Sequence, residues 1–108
     1  MLDYDVKLYD KYSMMYYLRD RGDKNSLECL ASLLHPKYRE KTGVLFRHEI
    51  CFVMGCLGEN AICIVDKIID CAKDITENGI VRHEAVSAYS SIYDDKDVLY
   101  TFYLENSF

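Results

Sequence analysis

The sequence repeats itself with a period of about 35 residues, and this repetition limits the folds open to the chain. The run Arg-His-Glu at residues 47–49 opens an apolar stretch and returns at residues 82–84, at the start of another. Residues 11–18 hold the corresponding place one period earlier. Periods of this length are typical of proteins in which each repeat is a small unit that buries its apolar face only against its neighbours. The chain is therefore predicted to be a stack of three units.

Each repeat has the pattern of a helix, a short turn and a second helix. First helices are predicted near residues 9–19, 45–57 and 81–92, and second helices near residues 25–34, 60–73 and 94–105. The apolar residues of the second helices share one helix face, at Leu27, Leu30, Leu33 and Leu34 in the first repeat and at Ile62, Val65, Ile68 and Ile69 in the second. The predicted fold class is all-α, an α–α superhelix of about three HEAT-like helical hairpin repeats. A single domain covers residues 1–108, with repeat 1 at about 9–34, repeat 2 at about 45–73 and repeat 3 at about 81–105.

Turn and capping residues fall where these hairpins need them. Gly22 and Gly58 can adopt the left-handed conformation that ends a helix. Asp23 or Asn25 is a candidate N-cap for the second helix of repeat 1, and Asn60 is the candidate in repeat 2. These residues predict short turns inside the first two hairpins.

The composition excludes several classes of protein. Thirteen basic and eighteen acidic residues give a net charge of −5, which argues against a nucleic-acid partner and is compatible with a cationic one. The longest apolar run, residues 61–65, is far shorter than the roughly 20 residues that cross a membrane, so no membrane association is expected. Five cysteines, an odd number, and an acidic start at residues 1–5 that is unlike a signal peptide predict a cytoplasmic location.

The repeated pairs His48-Glu49 and His83-Glu84 are the candidate functional residues. Stacking places equivalent positions of successive repeats on one surface, so the two pairs are predicted to lie close together. A single pair would most simply be a polar helix start, but two pairs in register favour a site. Imidazole and carboxylate groups are the ligands of non-haem iron, and two His with one carboxylate leave positions open for dioxygen and substrate. All four residues are therefore candidate metal ligands.

Motifs for zinc do not occur at these pairs. The zinc protease motif needs a second His four residues after the first, where the chain has Phe52 and Ser87. The same two residues break the Glu-x-x-His pattern of ferritin-like carboxylate sites. Because His and carboxylate ligands also accept manganese and zinc, the residues alone leave the identity of the metal open.

For the residues around the pairs, the sequence predicts packing, support of the site or exposure to solvent. Tyr12 and Ser13 occupy the positions of the pair in repeat 1, which is therefore expected to contribute packing alone. Arg47 and Arg82 precede the two histidines, and they either pair with the site carboxylates and orient them or are ordinary exposed residues. Residues 36–42 form a charged connector that is predicted to be a solvated loop.

The stretches around both pairs, residues 45–55 and 76–85, resemble the His-Glu motifs of deoxyhypusine hydroxylases, and the similarity extends over about residues 9–92. The resemblance is to the C-terminal half of these HEAT-repeat di-iron enzymes. It implies an iron-dependent monooxygenase that uses dioxygen to hydroxylate the deoxyhypusine side chain of a translation initiation factor in hypusine biosynthesis. It further implies two ferrous ions in a complete site, with His48, His83 and Glu84 as ligands of one. Glu49 would be a second carboxylate, either a ligand or the catalytic residue that holds the substrate amine.

The resemblance also implies that the site needs a second set of motifs. The enzymes carry four His-Glu motifs, two in each half, whereas this sequence has two. The chain is therefore expected to act as a half-enzyme completed by a second chain, either another copy in a homodimer or a complementary half. The alternative is a non-catalytic HEAT-like protein-binding module that has lost activity. The bilin lyases, which have similar repeats, share little with this sequence beyond the fold.

Overall fold

The described part of the chain is helical. The structure is a computed structural model that describes residues 8–93, together with residues 97, 101, 104 and 105. Its α-helices are α1 (Leu8–Arg21), α2 (Lys24–Ser32), α3 (Arg39–Thr42), α4 (Val44–Leu57), α5 (Val65–Lys73) and α6 (Gly79–Tyr93), and 3₁₀ segments span Pro36–Tyr38 and Gly58–Ile64. No β-strand occurs among these residues, and the predicted all-α fold class is confirmed.

The first helices of the three hairpins are α1, α4 and α6, whose ends lie within two residues of the predicted ones. The second helix of the first hairpin is α2, which ends two residues before its predicted end. The second helix predicted near residues 94–105 lies mostly outside the described residues. Its described residues, 97, 101, 104 and 105, are helical.

The turns inside the first two hairpins depend on two glycines, as predicted. Gly22 and Gly58 have positive φ angles of 66° and 57°, which residues with a side chain rarely adopt. Asp23 then caps α2, because its carboxylate accepts hydrogen bonds from the backbone N–H of Ser26 at 3.3 Å and from the Ser26 hydroxyl at 2.6 Å.

The second helix of repeat 2 differs from its prediction. Residues 58–64 form a 3₁₀ segment, so Asn60 lies inside it and is not the N-cap of a long α-helix. A 3₁₀ helix has three residues per turn, which places Ala61 and Ile64 together on the buried side. Ile62 is consequently 49% exposed, and its predicted place in the core is wrong. The α-helical spacing resumes in α5, where Ile68 is fully buried.

The connector between the first two repeats is also helical, which corrects its prediction as a solvated loop. It consists of the 3₁₀ segment Pro36–Tyr38 and the single turn α3. Thr42 at the end of α3 is buried, and its hydroxyl donates a hydrogen bond of 2.9 Å to the carbonyl of Tyr38. The connector is therefore part of the packed structure.

The hydrophobic core lies between the helices, with the most extensive contact formed by α4 and α6. These two helices approach closely at Gly55 of α4, where an added Cβ atom would lie 3.1 Å from the Cα atom of Ala88 in α6. The four leucines predicted for one face of the second helix of repeat 1 are all in the core, although Leu33 and Leu34 follow the end of α2. None of the described helices is both long and apolar enough to cross a membrane.

Replacing Gly55 by valine should force α4 and α6 apart, because the nearest atom is backbone and cannot rotate away. We expect the Gly55→Val variant to lose about 1–3 kcal/mol of unfolding free energy, measured by chemical denaturation. Cys56→Val changes the exposed neighbour on the same helix and should stay within about 0.5 kcal/mol of the unchanged protein. Equal stability of the two variants would contradict this account of the packing.

Candidate functional site

The contact between α4 and α6 brings together one residue from each repeated pair. Nε2 of His48 lies 3.2 Å from Oε2 of Glu84. Both side chains are partly exposed, 33% for His48 and 18% for Glu84, so the pair is reachable from solvent. An imidazole and a carboxylate that converge from neighbouring helices can share a proton or hold a metal ion.

Glu49 has a different partner, which the sequence did not point to. The hydroxyl of Tyr16, from α1, donates a hydrogen bond of 3.2 Å to Oε1 of Glu49. Partial burial, and then the hydrogen bond and negative charge of Glu49, raise the pKa of the Tyr16 phenol. Burial and the charge of Glu49 likewise raise the pKa of Tyr12, one turn earlier on α1. The first repeat therefore contributes tyrosines to the candidate site, beyond the packing expected of it.

His83 lies on the exposed side of α6, next to Glu84. In the described part of the chain, no three side chains of His, Cys, Asp or Glu form a group that could hold a metal ion. The structure thus brings together His48 and Glu84, and it gives Glu49 a tyrosine partner. The ligand triad of His48, His83 and Glu84 stays a prediction.

Arg47 does not pair with the site carboxylates and is not exposed, so neither expectation for it is correct. It is buried, and its guanidinium donates hydrogen bonds to both carboxylate oxygens of Glu77, at 2.8 Å and 3.2 Å. Its Nη1 donates hydrogen bonds to the carbonyl of Arg39 at 2.8 Å and to the hydroxyl of Thr42 at 3.2 Å. The bidentate geometry fixes the turn before α6 against the start of α4.

A second arginine extends this network to the surface. Nη2 of Arg39 lies 2.9 Å from Oδ2 of Asp74, and its Nε lies 3.4 Å from Oε2 of Glu77. The connector, α4 and the turn between α5 and α6 are thereby joined by charged groups. Arg82 is half-buried and its Nε donates a hydrogen bond to the carbonyl of Ala72 at 3.0 Å, so it is not the ordinary exposed residue of the second expectation.

Asp74 is held in its ionised form by the turn that it stabilises. Its carboxylate accepts hydrogen bonds from the hydroxyl and the backbone N–H of Thr76, at 2.6 Å and 2.9 Å. These bonds, followed by the interaction with Arg39, lower the pKa of Asp74 below its usual value. The charged form of this aspartate therefore contributes to the stability of the fold.

Exposed apolar side chains share helix faces with the candidate residues. Leu45 precedes His48 by three residues and is 76% exposed, and Phe52 follows it by four and is 48% exposed. On α6, Ile80 precedes His83 by three residues and is 61% exposed. Large exposed apolar residues grouped around polar ones are typical of a surface that meets another molecule.

A cleft of about 540 Å³ lies elsewhere, between α2, the connector and α5. Tyr38, Asp70 and Cys71 are among the residues that line it, and none of the four candidate residues does so. The candidate site on α4 and α6 is therefore separate from this cleft.

The fold and the site define a helical-repeat protein with a His–carboxylate pair between the first helices of successive repeats. Comparison with known proteins shows similarity to deoxyhypusine hydroxylases over about nine tenths of the chain. The protein of Candida albicans is 36% identical over 94 residues, and that of Emericella nidulans 34% identical over 100 residues. The protein of Drosophila pseudoobscura is 34% identical over 94 residues. The resemblance to this family is thus confirmed.

The similarity covers only part of those enzymes. It includes 87%, 91% and 87% of this chain but 27%, 29% and 29% of the three relatives, respectively. The chain thus spans less than a third of their length, which is consistent with the predicted relation to one half of the enzyme. No protein-family model matches the chain. No solved structure matches it either.

Breaking the buried ion pair between Arg47 and Glu77 should strongly destabilise the protein. Arg47→Met leaves the Glu77 carboxylate buried with less compensation, and we expect a loss of about 3–5 kcal/mol of unfolding free energy in chemical denaturation. Lys24→Met removes an exposed cation 3.8 Å from Glu28 and should change stability by no more than about 0.5 kcal/mol. A similar loss in both variants would show that the buried pair does not hold the fold.

Asp74 should make stability depend on pH. Because its pKa is lower in the folded protein, its contribution is present above the unfolded pKa and is lost as the pH falls through the folded value. Asp74→Asn should therefore be less stable than the unchanged protein at pH 7, with a difference that shrinks towards pH 3. Denaturation series at several pH values measure this difference. The exposed Asp70→Asn variant should change stability little at pH 7, and a constant difference for Asp74→Asn would contradict the assignment.

Proposed function

We propose that this chain provides one half of the iron site of a deoxyhypusine hydroxylase and acts as a half-enzyme completed by a second chain. The observation that carries the proposal is the convergence of His48 and Glu84, one residue from each repeated pair, at 3.2 Å. The similarity to deoxyhypusine hydroxylases over nine tenths of the chain supports it.

The donor chemistry suits ferrous iron, although one chain offers too few donors. His48 and Glu84 supply the nitrogen and oxygen ligands that this metal accepts. A group of three is absent from the described residues, so a single chain in this conformation would leave the metal weakly held. His83 would complete the set by rotating towards the metal, and a second chain would supply the ligands of the second iron.

The site would act on a cationic side chain. Iron, when bound, would supply the activation of dioxygen for hydroxylation of deoxyhypusine on a translation initiation factor. Within this chain, His48, His83 and Glu84 would hold the metal, and Glu49 would be the carboxylate that orients the substrate amine. The net charge of −5 is compatible with attraction of a basic partner.

The second chain is proposed to be another copy, related by twofold symmetry, because two copies supply the four His-Glu motifs of the family. The exposed side chains of Leu45, Phe52 and Ile80 share helix faces with the candidate histidines and are suited to burial in such an interface. A complementary half-chain would use the same surface.

Metal content and mass test the proposal together. Protein purified without oxygen and loaded with ferrous iron should contain one iron per chain and have the mass of a dimer, as measured by elemental analysis and analytical ultracentrifugation. His48→Ala and Glu84→Gln should each lose the iron, because each removes one of the two convergent donors. The loaded protein should then hydroxylate a deoxyhypusine-containing substrate protein.

His35, the one histidine of the sequence outside the repeated pairs, provides the matched control. His35 is exposed at the start of the connector, where its Nδ1 accepts a hydrogen bond from the backbone N–H of Lys37. His35→Ala should therefore keep the iron content and mass of the unchanged protein. A monomer that takes up no iron would contradict the homodimeric site and would favour the alternative, a non-catalytic HEAT-like binding module.

A further inference from the structure

Two of the five cysteines lie together in the core of the second repeat. Cys51 belongs to α4 and Cys71 to α5, and both are buried and free. Their side-chain thiols share a hydrogen bond, so the two sulfur atoms are direct neighbours. A disulfide requires the sulfur atoms to approach to about 2 Å, and thiols that already touch need little further movement. The pair is therefore placed to form a cross-link within the chain.

The two cysteines differ in their access from outside. Cys71 is 6% exposed and lines the cleft of about 540 Å³ between α2, the connector and α5. Cys51 is fully buried and is not part of the wall of this cleft. Reactions of a thiol depend on access as well as on its chemistry. A small reagent that enters the cleft can therefore reach the sulfur of Cys71, and it reaches Cys51 only through Cys71.

We propose that Cys71 is a site of oxidation by small peroxides and that Cys51 converts the product into an intramolecular disulfide. The thiolate of Cys71 attacks one oxygen of hydrogen peroxide, the O–O bond breaks, and the other oxygen leaves as water once protonated, which gives a sulfenic acid on Cys71. The thiol of Cys51 then attacks that sulfur, the S–O bond breaks, and the hydroxyl leaves with the thiol proton as a second water. Two thiols are oxidised to one disulfide, and one peroxide is reduced to two waters.

The contact between the thiols decides how the sulfenic acid reacts. A reaction between groups that are held side by side has a high effective concentration, so Cys51 should react before a second peroxide does. The resulting disulfide would join α5 to α4 at the residue three positions after His48. Small thiols reverse such a bond by thiol–disulfide exchange. This site involves no metal, and it stands whether or not the proposed function is correct.

The test requires that only the pair can react. The other three cysteines are exposed, so the full chain is prepared with Cys29→Ser, Cys56→Ser and Cys63→Ser. After treatment with hydrogen peroxide, peptide mass spectrometry without reduction should find the Cys51 and Cys71 peptides joined, with the loss of two hydrogen atoms. Treatment with a reducing agent should restore both free thiols.

Two further variants of this serine-substituted chain establish the order of the steps. Cys51→Ser should stop at the sulfenic acid, which dimedone traps on the Cys71 peptide. Cys71→Ser is the matched control, and its Cys51 peptide should keep its mass because that thiol is fully buried. Oxidation of Cys51 in this control would overturn the assignment of Cys71 as the site that reacts first.

Other results would overturn the proposal as a whole. One is a Cys71 peptide that gains oxygen atoms while no disulfide forms. Another is a pair that stays reduced at a peroxide concentration that oxidises the exposed Cys56 of the unchanged protein. If circular dichroism shows that the serine-substituted chain does not fold, the same peptide mapping is made on the unchanged protein. There the disulfide should join Cys51 to Cys71, and pairing of either residue with an exposed cysteine instead would contradict the proposal.

Discussion

The buried ion pair between Arg47 and Glu77 is the interaction on which the geometry of the candidate site depends. Both side chains are almost completely buried, and two hydrogen bonds fix their relative orientation. Such a pair is costly to bury and costly to break, since either group alone would be a charge without compensation. It joins Arg47, the residue directly before His48, to the turn that leads into α6. The pair therefore helps to fix the start of α6, and with it the position of Glu84 relative to His48.

A second constraint acts further along the same two helices. Because Gly55 has no side chain, α4 and α6 approach closely there, and an added Cβ atom would lie only 3.1 Å from the Cα atom of Ala88. The ion pair near the start of α4 and the close contact near its end together limit both sliding and rotation of α6. The contact between His48 and Glu84 lies between these two points along α4. Its geometry therefore follows from packing that involves neither residue.

The sequence predicted the helices well because their apolar spacing and their glycine turns are local signals that repeat. It predicted the candidate pair for the same reason, since equivalent positions of stacked repeats share a surface. The partner of Arg47 could not be predicted, because Glu77 lies thirty residues away with no periodic relation to it. The 3₁₀ segment at residues 58–64 was also missed, since Ile62 fits the α-helical pattern and only the observed three-residue turn exposes it.

The stacking of repeats also explains how identical motifs acquire different contact partners. Each glutamate is met by a side chain from the first helix of the preceding repeat, His48 for Glu84 and Tyr16 for Glu49. The partner of each glutamate is thus supplied by the repeat before it, an imidazole in one case and a phenol in the other. A repeat without the pair consequently still contributes a contact to the candidate residues, because its Tyr16 donates a hydrogen bond to the carboxylate of the next repeat.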